Sequence, residues 1–296
     1  MSSETPQGRG RTDLGRSAER HGDRPTAPDP LPISVVDNHT HLDMGRGDAP
    51  RPDLGATLRE AAAVGVDRVV QIGCDLPGAR FTVEAIDADP AVLGGVAIPP
   101  HAAPRLAAVG QLAGALAEIE QLATHPRVRV IGETGLDYFR TGPDGVGVQQ
   151  DSFRWHIDLA KRLGKALQIH DRDSHADVLR ILEEEGAPEK TVLHCFSGGV
   201  EMARAAVERG YYLSFAGTVT FKNARDLRDA LSVVPLEQVL VETDAPYLTP
   251  MPWRGSVNAP YLIPLTVRRM ADVLGVAVAT LCAAISDNSE RLYGPW

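Results

Sequence analysis

From Ile33 onward the sequence predicts an α/β protein, most simply a closed (β/α)8 barrel with its reactive groups gathered at one mouth. Three observations carry that prediction. Eight short β-branched runs alternate with stretches of helical spacing. Most runs are apolar at consecutive positions, as parallel strands buried on both faces are. Several runs end in histidine or a carboxylate, and in such barrels the site is built at the carboxyl ends of the strands. A doubly wound open sheet is the main competitor.

The first run, "ISVVDNHTH", ends in His39 and His41. Residues i and i+2 of a strand share a face, so the two imidazoles project side by side, with Asp37 and Asp43 on the same face. The next two runs, "VDRVVQIGC" and "VLGGVAI", end without an obvious ligand. The fourth, "VRVIGE", ends in Glu133. The following "GLDYFRTGPDG" reads as a loop carrying Asp137, Tyr138 and Arg140 near the mouth, for substrate contact or for packing alike. Phe153, His156, Ile157, Ala160 and Leu163 then recur at helical spacing before Gly164.

The fifth run, "KALQIH", ends in His170 and leads into "DSHADVLRILEEEG", a helix that Gly186 closes. The sixth, "KTVLHC", ends in His194; the seventh, "YYLSFAG", offers no ligand. The eighth, "QVLVETD", ends in Asp244, with Glu242 two residues earlier on the same face as a supporting group. Four histidines and two carboxylates converging on one mouth make a metal site with room for two divalent ions, Zn, Mn or Mg. Glu133, with two oxygens, is the natural bridge. His21, His101, His125, His156 and His175 fall in the tail, loops or helices, where a structural role is expected, with His101 a partial exception.

Composition bounds the rest. The chain has 296 residues, 43% of them apolar, enough for one large domain. A net charge of −9 argues against a protein that coats nucleic acid electrostatically; a nucleic-acid substrate would be held locally. Cys74, Cys195 and Cys282 are unclustered, which points to a reducing cytoplasm and no disulfide framework. No apolar run suits a membrane span or a signal peptide, and a monomer is the default expectation. Residues 1–30 hold five Arg, five acidic residues, four Pro and no Val, Ile or Phe. Such a segment reads as a disordered arm ahead of a single hydrolase domain at 31–296.

The segments "DNHTHLD", "IGETGLDYFR", "LQIHDRDSHADVL", "VLHCFSGG", "GYYLSFAGTVTFKNA" and "LVETDAPYLTPMPWRG" together resemble the TatD family of metal-dependent deoxyribonucleases, within the amidohydrolase-like barrels. They follow the family's order from about residue 33 to 265. The resemblance implies a (β/α)8 TIM barrel, two divalent ions and hydrolysis of phosphodiester bonds in DNA, commonly from the 3′ end. It implies His39, His41 and Asp244 on one ion, His170 and His194 on the second, and Glu133 between them. Asp244, a ligand close to the activated water, is the expected general base. Arg140, Arg172 and Arg254 are candidate phosphate contacts because guanidinium matches that geometry bidentately. Arg172 is read equally as a partner supporting the ligands, and His101 is a further candidate contact. The resemblance also allows a carboxylic ester substrate, as in an aminoacyl-tRNA deacylase; a metal-binding scaffold without turnover is a third reading. Two departures, Pro99-Pro100-His101 for the usual His-Pro and Ser256 for a usual basic residue, touch substrate contacts and leave the ligand positions intact.

Overall fold

The computed structural model describes residues 24–46 and 50–296. The strands and helices alternate as β1 (Val35–Thr40), α1 (Leu54–Ala63), β2 (Val66–Ile72), α2 (Leu76–Ala88) and β3 (Val92–Val96). Then come α3 (Ala103–Ala108), α4 (Leu112–Ala123), β4 (Val128–Asp137), α5 (Pro143–Leu163), β5 (Ala166–Arg172), α6 (His175–Glu185) and β6 (Thr191–Leu193). The chain finishes with α7 (Val200–Glu208), β7 (Tyr212–Phe215), α8 (Arg225–Leu231), β8 (Val239–Val241), α9 (Ile263–Leu274) and α10 (Val278–Tyr293). All eight strands pair in parallel in sequence order. Asp244 N–H donates to His39 O at 3.0 Å and His41 N–H to Ala245 O at 2.9 Å, so the segments that join the first strand to the last also carry candidate ligands. The barrel prediction holds, and the open sheet is excluded.

Each strand is apolar on both faces for a reason visible in the packing. Val36, Val70, Leu93, Val130, Ala166, Val192 and Leu240 fill the barrel interior with Tyr293 from the end of α10. Their neighbours Val35, Val69, Val92, Ile131, Leu167, Leu193 and Val239 face the helical jacket. Above the apolar interior lies a polar layer. Gln168 donates to Asn38 O at 2.8 Å and contacts Tyr293 Oη at 3.0 Å, and Ser289 bonds Asn38 Oδ1 at 3.1 Å. A buried polar layer is stable only when its members are hydrogen-bonded, and this one forms the floor of the mouth.

Two expectations change. The segment from Gly135 to Gly145 is not simply a loop: β4 runs on through Asp137, and α5 begins at Pro143. The strand continues because Gly135 sits at φ +122°, where an added Cβ would lie 2.2 Å from His170 O. Of the expected N-terminal arm, residues 1–23 lie outside the described residues. Residues 24–30 lie against the barrel instead of free of it: Tyr261 Oη donates to Pro25 O at 2.8 Å, and Arg268 donates to Asp29 O and Pro30 O.

Candidate metal centre

The six residues singled out at the strand ends meet at the carboxyl mouth. Donor atoms of His39, His41 and Asp244 lie within 4.8 Å of one another, and so do those of Glu133, His170 and His194. The groups abut: the His39 and His194 rings stack with centroids 3.9 Å apart. Glu133 Oε2 stands 3.9 Å from His39 Nε2, 3.4 Å from His170 Nδ1 and 2.8 Å from His194 Nε2, so this one carboxylate touches both groups. Asp244 Oδ1 lies 3.2 Å from His41 Nε2 and 3.9 Å from His39 Nε2. The Asp244 backbone is held left-handed at φ +54°, a conformation that costs energy for most side chains and is tolerated best by Asn and Asp.

Hydrogen bonds decide which imidazole nitrogen is free. Gln168 must aim its amide nitrogen at the carbonyl of Asn38, so its Oε1 faces His39 and accepts from Nδ1–H at 2.7 Å. His41 donates Nδ1–H to Ile72 O at 2.9 Å, and His194 Nδ1 faces Glu242 Oε1 at 3.2 Å. All three rings are thereby set with Nε2 toward the mouth. Nε2 of His39 and of His194 are buried without a hydrogen-bond partner; the 2.8 Å approach of His194 to Glu133 lacks hydrogen-bond alignment. Buried polar atoms are almost always satisfied, so orphaned imidazole nitrogens facing carboxylates fit a cation.

Electrostatics agrees. Burial works against charge on His194, yet Glu242 and Glu133 outweigh it and push its pKa up to about 10. Burial is likewise overcome at His41, raised by Cys74 and Asp244, and at His170, raised by Asp137 and Glu133. His39 goes the other way, lowered by burial and then by His194 and His41. Burial would raise Glu133, but His170 and His194 hold it well below the usual carboxylate range. The cluster thus demands positive charge, which protons supply when cations do not. Glu133, Asp137, Glu242 and Asp244 put four carboxylates around the histidines, twice the number read from the strand ends, a donor set that suits a divalent cation.

Three neighbours have places at the centre that the sequence did not assign them. Asp137 Oδ2 stands 3.3 Å from His170 Nε2. Cys74, at a strand end that offered no obvious ligand, lies 3.3 Å from His41 Nδ1 and 3.7 Å from Glu133 Oε1; burial pushes its thiol up to about 12. Gln168 could have been found by the same i−2 argument that singled out Glu242, because it precedes His170 on β5.

The expected substrate contacts do not form one cluster. His101 and Arg140 line a common cavity beside the mouth. The Arg172 guanidinium stacks 4.0 Å over Phe139, and that of Arg254 lies 4.4 Å over Phe221. At Ser256 the backbone carbonyl accepts from Arg46 and from Thr249 Oγ1, so positive charge reaches this loop from Arg46.

A family model described as "TatD related DNase" matches residues 36–294. A Mycobacterium tuberculosis protein named "Uncharacterized metal-dependent hydrolase TatD" is 46% identical over 265 residues, covering 88% of this chain and 98% of its own length. The Escherichia coli protein "Uncharacterized metal-dependent hydrolase YcfH" is 38% identical over 260 residues, covering 88% and 95%. Among solved structures, the Escherichia coli TatD homologue YjjV superposes with a TM-score of 0.80 at 24% identity, covering 88% of this chain and 98% of that one.

Proposed function

The chain belongs to the TatD-related DNase family, and from that premise we propose that it is a metal-dependent hydrolase that cleaves phosphodiester bonds in single-stranded DNA, working inward from the 3′ end. The observation that carries the reading is the meeting of two three-residue donor groups around Glu133. In this reading His39, His41 and Asp244 hold one divalent ion and His170 and His194 the other, with Glu133 shared. Bound Zn, Mn or Mg would supply Lewis-acid polarisation of a phosphoryl oxygen and acidify an attacking water.

The chain's own residues do the rest. Gln168, Ile72 O and Glu242 keep the three imidazoles oriented, so no reorganisation is needed when substrate arrives. Asp244 is the general base: its side chain is 16% exposed, against 9% for Glu133 and 0% for Glu242 and Asp137, so it is the cluster carboxylate open to an incoming water. Arg140, Arg172, Arg254 and His101 grip phosphates at the rim. Phe139 and Tyr247, 65% and 44% exposed, offer ring faces on which unpaired bases stack.

The three free cysteines suit a reducing cytoplasm, and we place the enzyme there as a monomer. Among the described residues no single helix is long and apolar enough to cross a membrane.

The test is a cleavage assay on end-labelled single-stranded oligonucleotides, with chelated protein and with protein reloaded with Zn, Mn or Mg. Stepwise shortening from the 3′ end only after reloading is expected. Turnover confined to mischarged aminoacyl-tRNA, or none with the metals bound, would overturn the reading.

A further inference from the structure

Beside the metal centre, between the start of α3 and the start of α5, lies a cavity of about 400 Å³ whose walls include His101, Arg105, Arg140, Thr141, Asp144 and Gly145. Building on the phosphodiesterase reading, we infer that this cavity seats a second phosphate of the substrate, next along the strand from the bond being broken, gripped by Arg105 and Arg140.

Position comes first. Arg140 Nη1 lies 3.3 Å from Asp137 Oδ2, and the same oxygen lies 3.3 Å from His170 Nε2. The cavity wall is therefore one carboxylate away from the candidate ligands, and a group seated there is tied to the reacting centre through Asp137.

Rigidity follows from the same residues. Arg140 N–H donates to Asp137 Oδ1 at 2.9 Å, and Asp137 N–H donates to Gln149 Oε1 at 2.9 Å. Gln149 in turn donates to Asp137 O at 3.2 Å. The turn that presents Arg140 is pinned to α5 before any ligand arrives, which lowers the ordering cost of binding. Gly145 closes the back wall, since a Cβ there would lie 2.5 Å from Thr141 and 3.1 Å from Pro104.

Charge then selects the occupant. Arg105 is exposed on α3 and pairs with no carboxylate among the described residues, while Arg140 shares Asp137 with His170. Asp144 also lines the cavity. Arg140 is already paired with Asp137, so Arg105 is the guanidinium of this wall without a carboxylate partner among the described residues, which suits a singly charged phosphodiester better than a doubly charged terminal phosphate. Guanidinium matches the oxygens of such a group bidentately.

The experiment is steady-state cleavage of single-stranded oligonucleotides by metal-loaded enzyme, combining Arg105→Ala with a neutral methylphosphonate placed at the phosphate next to the scissile one. Each change alone should raise KM about tenfold, the scale of one charge-assisted hydrogen bond, with little change in kcat. Together they should raise it no further, because both remove the same contact. Arg105→Lys should recover part of the loss. Additive effects, or an equal loss on bis(p-nitrophenyl) phosphate, which has one phosphorus only, would overturn the subsite. A wild-type enzyme that cleaves other diesters but no DNA would overturn the DNA reading and the subsite with it, a result distinct from additivity.

Discussion

His156 and His194 are both buried, yet they are opposite kinds of histidine. His156, inside α5, donates Nδ1–H to Ser152 O at 2.7 Å and accepts from Ile98 N–H at 3.0 Å. Both nitrogens are used, the ring is neutral, and burial depresses its pKa to about 4. His194, at the mouth, has Glu242 on one nitrogen and no hydrogen-bond partner on the other, and its carboxylate neighbours push it up to about 10. Burial alone therefore says nothing about role. What separates the barrel wall from its mouth is whether the polar atoms there are satisfied by the protein itself.

The largest expected effect breaks the mouth at its centre. Glu133→Ala removes a carboxylate that reaches both donor groups, with an oxygen within 3.9 Å of His39, His170 and His194. Cleavage should fall to background, and the purified protein should carry less than the wild-type metal content by elemental analysis. Near-normal turnover in this variant would dissolve the distinction between the two groups and a shared centre. A smaller effect is expected one bond further out. Glu242→Gln keeps the shape beside His194 but removes the charge, and should weaken metal binding by about 10–100-fold. Competition against a chromophoric chelator measures it; unchanged affinity would mean that Glu242 only fills space.

The sequence made the mouth legible because strand geometry converts spacing into direction. "HTH" places two rings on one face, and a ligand-type residue at the end of an apolar run must emerge where the strand ends. His156 was legible too, as an apolar-face residue at helical spacing. Asp137 was harder, because the strand carrying it continues past Glu133 only through the positive φ of Gly135, which no hydrophobic pattern signals. Cys74 was hidden for another reason, since it gains meaning only from His41 on another strand, and for Gln168 the i−2 spacing gives the face but not the partner, His39. Pairings across the barrel are set by tertiary closure, and local spacing does not encode them.

The wall histidine makes its own prediction, in stability and not in catalysis. The folded pKa of His156, about 4, lies below the ordinary value of 6.5. The unfolded chain therefore takes up the proton first as pH falls. The contribution is complete above pH 6.5, declines between 6.5 and 4, and is gone below 4, a loss of about 3 kcal/mol. Urea midpoints across that window should fall less steeply in His156→Gln than in the wild type. Equal pH dependence would show that the satisfied histidine does not resist protonation, and the contrast with His194 would lose its physical basis.

The smallest effect belongs at the rim, where a residue is held by stacking alone. Arg254 lies over Phe221 and has no carboxylate partner among the described residues. A chain with net charge −9 binds an anionic strand only where a few such cations project. Two or three phosphate contacts to single-stranded DNA give a shallow slope of log affinity on log salt, about −1.4 to −2.1. Arg254→Ala should flatten that slope by about 0.7 if Arg254 neutralises one phosphate, while leaving the metal content intact. An unchanged slope would assign Arg254 to packing against Phe221. A much steeper wild-type slope would mean that the acidic surface contributes more phosphate contacts than its exposed arginines allow, and the picture of a locally held strand would fail.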